Sequence, residues 1–334
     1  MKKLLLINIT LLSTFCSFAS DINLTKKIEK YCKDTKTKIS IFKESLRLNG
    51  RIKVSNRIGK KRAKYSNYRG CHMDTPLINN TYKSLCIDKN IQDIDASNYP
   101  KMILWHFTGA SFFNAELANT VLSPSNIKGY EGKELIVGFD NGVNQLKNIF
   151  DLNTELYNRD EVEFHYHAGS GLHSKENYSS AVVCAEETKR HIDIINTVSN
   201  INYRPTWVVT GFSNGGISAL NFQNKLPEFN ITVDHAIIVD PVAKVHKFAF
   251  YDLFEFSGER NPNTTYLEAL YQNEDKYSLA NTIALQGKPV KGADINIKIP
   301  ANSFRYNVDQ AHNYIYYTNE VEDSFRKLVT KFLN

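Results

Sequence analysis

Three residues far apart in the chain, but in a telling order, carry the types that acyl transfer needs. Ser213 sits in "TWVVTGFSNGG", residues 206–216, where Gly211-Phe212-Ser213-Asn214-Gly215 fits G-x-S-x-G. A serine hydroxyl is a weak nucleophile until a base takes its proton, and that base needs an acid to orient it. In the strand–turn–helix setting of such a serine, acid and histidine follow it in the chain. Asp240 ends the apolar run "HAIIVDPV", and Pro241 stops that run as a strand. His312, in "NVDQAHNYIYY", is the one histidine near the carboxyl terminus. Asp294, in "KGADINIKI", is the rival acid, and Asp309, three residues before the histidine, is a weaker one. His246 also follows Asp240, only six residues later.

The residues around Ser213 explain why strand and helix meet with no loop between them. Glycines two positions either side remove side chains that would collide across so sharp a turn. The turn lifts the hydroxyl above the sheet edge and aims the positive end of the next helix at a developing oxyanion. One oxyanion donor is expected to be the Asn214 N–H. Counting back two strand–helix units places the second at Asn141 and Gly142, in "VGFDNGVN", with Thr108 and Gly109 of "WHFTGAS" as the competing loop. His165 and His167, two apart in "EFHYHAGSG", leave one face of a strand and could hold a metal, but no third ligand is evident. A serine triad needs no metal and no organic cofactor, and none is expected.

These groups must be held by a scaffold, and the remaining pattern supplies one. Apolar, strand-like runs lie at 101–107, 134–139, 162–167, 206–211 and 235–240, with a later one, "NTIAL", from Asn281. Helix-like segments separate them at 112–122, 144–157, 177–200 and 216–226, and "EVEDSFRKLVTKFL" closes the chain as an amphipathic helix. Continuous apolar strands alternating with helices imply an α/β fold, a mostly parallel sheet with helices on both faces. The catalytic-type domain is expected over 96–334. A possible lid spans 246–280, because "HKFAFYDLFEFSGERN" is rich in aromatic side chains and lies between acid and histidine.

The amino-terminal part reads differently. Lys2 and Lys3, the run "LLLINITLLSTF" and the small residues Ser17 and Ala19 are those of a signal peptide over 1–19, implying a periplasmic or secreted protein. Residues 20–95 form a basic helical and linker region with a helix over 22–48, an N-terminal arm ahead of the sheet domain. Over 21–69 there are sixteen lysines and arginines against four acids, while from 70 onward there are 23 against 31. Such an arm suits an anionic surface; nothing indicates a nucleic-acid-binding fold. Beyond the leader lie Cys32, Cys71, Cys86 and Cys184. Four thiols in an exported chain allow two disulfides, with Cys71 and Cys86 the expected pair and Cys184 read as a buried thiol.

The elbow followed by acid and histidine resembles the α/β-hydrolase superfamily over residues 100–334. A more distant resemblance is to the hydrolase domain of type VI secretion phospholipase effectors and their uncharacterised relatives. That family has an Asp-Gly-Thr-x-Asn loop, matched here by "VGFDNGVN", and a tyrosine-rich strand ending in Gly-Val-Gly, to which "FHYHAGSG" is similar. Its Gly-Phe-Ser-Arg-Gly elbow corresponds to "GFSNGG", with Asn214 in the arginine's place, and its acid lies in a segment resembling "VDPVAK". The chain departs from the family after His312, where "NYIYY" replaces a glycine-rich run, and in lacking the loop threonine. The resemblance implies a serine hydrolase of carboxylic esters, lipase- or phospholipase-like, acting through an acyl-enzyme. A peptidase or acyltransferase would use the same triad, and an inactive hydrolase fold would serve as a binding module.

Overall fold

The computed structural model describes residues 23–44, 71, 73–91, 94–110, 161–169, 179–242, 258–277, 285–305 and 307–333. The segment 1–19 expected as a leader, residues 45–70 of the basic arm, the run 134–139, the helix candidates 112–122 and 144–157, and His246 lie outside them. Six strands form one sheet: β1 (Met102–Ala110), β2 (Val162–Gly169), β3 (Thr206–Phe212), β4 (His235–Val239), β5 (Leu267–Tyr271) and β6 (Ile295–Lys298). Their order is β2-β1-β3-β4-β5-β6, and every pairing is parallel. The chain therefore has an α/β fold. From β1 the sheet grows one way to β2, then restarts on the other side at β3, so the order reverses between β1 and β3. In open parallel sheets the crevice at such a reversal is where functional groups collect.

Helices cover both faces. Alternate residues of the strands split into two cores, as a parallel sheet buried on both sides requires. Ile103, Trp105, Trp207, Val209 and Ile238 enter one core with side chains of α3 (Ser179–Ser199) and α4 (Asn214–Gln223). Met102, Leu104, Val208, Ile237 and Val239 enter the other with Val321, Phe325 and Leu328 of α6 (Asn319–Leu333). A short helix, α5 (Ala311–Tyr314), leads into α6.

The amino-terminal helix expected over 22–48 is described as α1 over 23–44, and it is docked rather than free. Tyr31 and Phe42 bury themselves in the first core. The Tyr31 hydroxyl lies 2.6 Å from His191 Nδ1, Arg190 donates to the Thr35 hydroxyl at 2.8 Å, and Lys38 pairs with Glu187.

Two disulfides fasten this layer, and they correct the expected pairing. Cys32 of α1 bonds Cys86, and Cys71 bonds Cys184 of α3. The helix α2 (Pro76–Tyr82) lies between Cys71 and Cys86 in the chain and carries them to different neighbours. Sequence separations of 54 and 113 residues make the cross-links worth about 4 and about 5 kcal/mol of unfolded-state entropy, respectively. Among the described residues no helix is long and apolar enough to cross a membrane.

One strand departs from the sequence expectation, and one expected run lies almost wholly outside the described residues. "LEALY" forms β5, inside the span expected for a lid, and the described part of that span, 258–277, is thus built around a sheet strand. Leu285, the end of the "NTIAL" run, is not in a strand.

Candidate active site

Ser213 follows β3 with no intervening residue and caps α4 at φ 57° and ψ −128°, a region that non-glycine residues occupy only under strain. Local packing forces this. A Cβ on Gly211 would fall 2.5 Å from the Gly215 carbonyl oxygen and 2.8 Å from Ala219 Cβ, so only glycine lets α4 fold back so closely on β3. The Ser213 N–H donates to the Val239 carbonyl at 3.0 Å, tying the turn to the end of β4. Asn214 is the first residue of α4, where a backbone N–H has no acceptor within its own helix.

The structure brings Ser213, His312 and Asp240 into one hydrogen-bonded chain. His312 Nε2 lies 2.9 Å from Ser213 Oγ, and His312 Nδ1 lies 2.6 Å from Asp240 Oδ2. With Asp240 as a carboxylate, Nδ1–H donates to it, which leaves Nε2 free to accept the serine proton. Burial is steep along the chain: Ser213 is 8% exposed, His312 3% and Asp240 0%. Phe212 stacks on the imidazole, with ring centroids 4.8 Å apart, and Tyr316 meets Phe212 edge-on. The imidazole is thus clamped between a carboxylate and an aromatic face.

Asp240 stands just past β4 at φ 45°, a left-handed conformation that Asp tolerates better than most residues. Its N–H donates to the Leu270 carbonyl at 2.6 Å, and its Oδ1 accepts the Gln272 N–H at 3.0 Å. Gln272 Nε2 adds a bond to Oδ2 at 2.8 Å. From the other side the segment at Gly287 presses so close that a Cβ there would fall 2.0 Å from Asp240 Oδ1. Gln272, Asp275 and Gly287 were not singled out in the sequence. They belong to irregular segments whose neighbours depend on the order of β4 and β5 in the sheet.

The rival acids are engaged elsewhere. Asp294, just before β6, lies beside the start of β5, accepting the Leu267 N–H at 2.8 Å and the Arg260 guanidinium at 2.7 Å. Asp309 pairs with Lys276 at 2.6 Å and accepts the Tyr277 hydroxyl at 3.1 Å.

Asn141 and Gly142 lie outside the described residues. The sheet order nevertheless bears on the donor loop. The two neighbours of β3 are β1 and β4, so the strand ending at Thr108, Gly109 and Ala110 stands directly beside the Ser213 strand. Phe107 pairs with Gly211, and the register of β1 against β2 slips by one residue between Phe107 and Ala110. This irregular strand end is the competing loop named in the sequence.

His165 is packed rather than poised. Its ring stacks on Trp105 with centroids 3.9 Å apart, and Nε2 lies 2.8 Å from Glu163 Oε1. Among the described residues no group of three His, Cys, Asp or Glu side chains could hold a metal ion.

No family model matches the sequence, and no curated protein matches it. Among solved structures the fold is similar to that of an uncharacterised protein from Pseudomonas aeruginosa, with a TM-score of 0.36 and 9% identity. The likeness covers 75% of this chain and 49% of that one, so the chain spans about half the length of its structural neighbour.

Proposed function

We propose that this protein is an exported serine hydrolase of the α/β-hydrolase type that cleaves carboxylic esters, with lipid or phospholipid esters as its substrates. One observation carries the reading: a strained serine at the reversal point of a parallel sheet shares a hydrogen bond with a histidine that a buried carboxylate holds from behind. Ser213 Oγ attacks the ester carbonyl while His312 Nε2 takes its proton. Asp240 fixes the imidazole through Nδ1 and stabilises the imidazolium that forms. The oxyanion is met by the Asn214 N–H and a second backbone donor from the end of β1. His312 then returns the proton to the departing alcohol, and water, activated by the same imidazole, releases the acid from the acyl-enzyme.

The strand order supports the hydrolase-type fold, since the serine's strand lies beside β1 and the strands that follow add on in chain order to carry the acid. Export is supported by the amino-terminal leader pattern together with the two disulfides. Contact with an anionic surface through the basic N-terminal arm belongs to the same reading.

The test is covalent labelling with a fluorophosphonate. The wild-type protein is labelled at Ser213 and Ser213→Ala is spared; equal labelling of both overturns Ser213 as the nucleophile, and labelling of neither overturns the proposal and leaves the fold as a binding module. A panel of p-nitrophenyl esters of graded length, beside phospholipids, then sets the substrate class.

A further inference from the structure

We propose that Gln272 and Asp275 are positioning residues that hold Asp240 and His312 in register with Ser213. The inference rests on the reading of Ser213 as a nucleophile and names what keeps its base in place.

Asp240 is fully buried, so its carboxylate must find every hydrogen bond within the protein. Gln272 supplies two of them, from its backbone N–H and its Nε2. The second Nε2 hydrogen goes to the Leu285 carbonyl at 2.7 Å. Its Oε1 accepts the N–H groups of Glu274 at 2.8 Å and Asp275 at 2.9 Å. A side-chain amide has two donor and two acceptor positions, and all four are used, so one orientation of Gln272 satisfies the site. Asp275, 1% exposed, continues the path: Oδ1 accepts the Leu285 N–H and Oδ2 accepts the His312 N–H, both at 2.9 Å.

The bonds close into a ring. Asp240 is joined to Gln272, Gln272 to Asp275, Asp275 to the backbone of His312, and the His312 ring back to Asp240. Three segments, around Asp240, residues 272–275 and His312, otherwise connected only by long stretches of chain, are thereby locked at the imidazole. The ring also sets polarity, since Asp240 needs donors and Gln272 presents them. Glutamate has the same shape but presents acceptors to both Asp240 and the Leu285 carbonyl.

The experiment compares Gln272→Glu and Asp275→Asn with the wild type in three measurements. These are p-nitrophenyl butyrate kinetics, the low-field proton resonance of His312 Nδ1, assigned by its loss in Asp240→Asn, and near-UV circular dichroism. A displacement of the imidazole by about 1 Å lowers kcat about 100-fold. That is the expected loss in Gln272→Glu, with about tenfold in Asp275→Asn, KM within about twofold, and the resonance shifted or broadened while the dichroism is kept. Wild-type kcat and resonance in both variants overturn the inference. So does a resonance lost only in step with the dichroism, which assigns the pair a purely structural role. The resonance is independent of turnover: if the wild type shows it yet neither hydrolyses the ester nor takes a fluorophosphonate, the hydrolase reading fails, and the resonance still decides the positioning.

Discussion

The two edges of the sheet use the same device to different ends. At the amino edge Asp294, just before β6, accepts the N–H of Leu267, the first residue of β5, and faces Arg260. Asp234, just before β4, does the same for Trp207 of β3 and faces Arg204. At the carboxyl edge Asp240, just past β4, accepts the N–H of Gln272, just past β5, and faces His312. Each carboxylate closes off a strand end, but the partners differ in chemistry. A guanidinium never gives up its proton at working pH, so the amino-edge pairs can only stabilise. An imidazole exchanges its proton readily, and here it is buried with a serine on its far nitrogen. In the proposed reading, a strand-end cap serves proton transfer once histidine stands in place of arginine and the pair is buried.

The comparison breaks first, and most severely, at the histidine. His312→Ala is expected to lower ester turnover by about three powers of ten or more, and Asp240→Asn by a similar factor, in initial-rate kinetics. Asp294→Asn stays within about twofold of wild type on the same reasoning. A comparable loss from Asp294→Asn would erase the distinction between the edges.

A smaller effect is expected at Gly287, where no chemistry occurs. The added methyl of Gly287→Ala collides with Asp240 Oδ1, so kcat should drop tenfold or more. The accompanying strain costs about 1–3 kcal/mol, read from urea unfolding. Full activity there would show that Asp240 is not held by the segment behind it.

The edges also differ in their histidines. His235, at the amino end of β4, meets no hydrogen-bond partner at either ring nitrogen among the described residues. Burial, reinforced by Lys331, pushes it down to about 4. The unfolded chain takes up this proton near the ordinary value of about 6.5, so stability present above that pH is lost as pH falls toward 4. Between pH 7 and pH 5 the loss is about 2 kcal/mol, and His235→Gln should be spared it. Urea unfolding at the two pH values measures the difference.

The smallest change is the stability cost of Asp294→Asn. The Leu267 N–H, followed by Arg260, holds this carboxyl below the usual range, so its contribution is present at neutral pH and fades as the carboxylate is protonated in acid. The pair is partly exposed and screened, which limits the loss to about 1 kcal/mol at pH 7.

How far each feature was legible in the sequence depends on how local it is. The elbow could be read directly, because a strand, a pair of glycines and a helix start all lie within eleven residues and the backbone geometry follows from them. The central strands β3 and β4 were equally plain as apolar runs. β5 was not: "LEALY" is built from good helix formers and becomes a strand because β4 and β6 flank it. Asp240 ends one strand and Asp294 precedes another, which favours Asp240 as the acid, but only the sheet order shows that one meets His312 and the other Arg260. The cysteines present the same difficulty, since the nearest pair in the chain is not a pair in space.

The sequence alone determined which groups could do chemistry, the order in which they occur, and the turn on which the serine is mounted, all of which follow from residue type and short-range sterics. Only the tertiary structure decided which carboxylate stands behind the imidazole, what clamps both of them, and which cysteines are joined. Those outcomes depend on which strands lie side by side in the sheet, and that order is set by burying both of its faces at once, a condition no single segment can express.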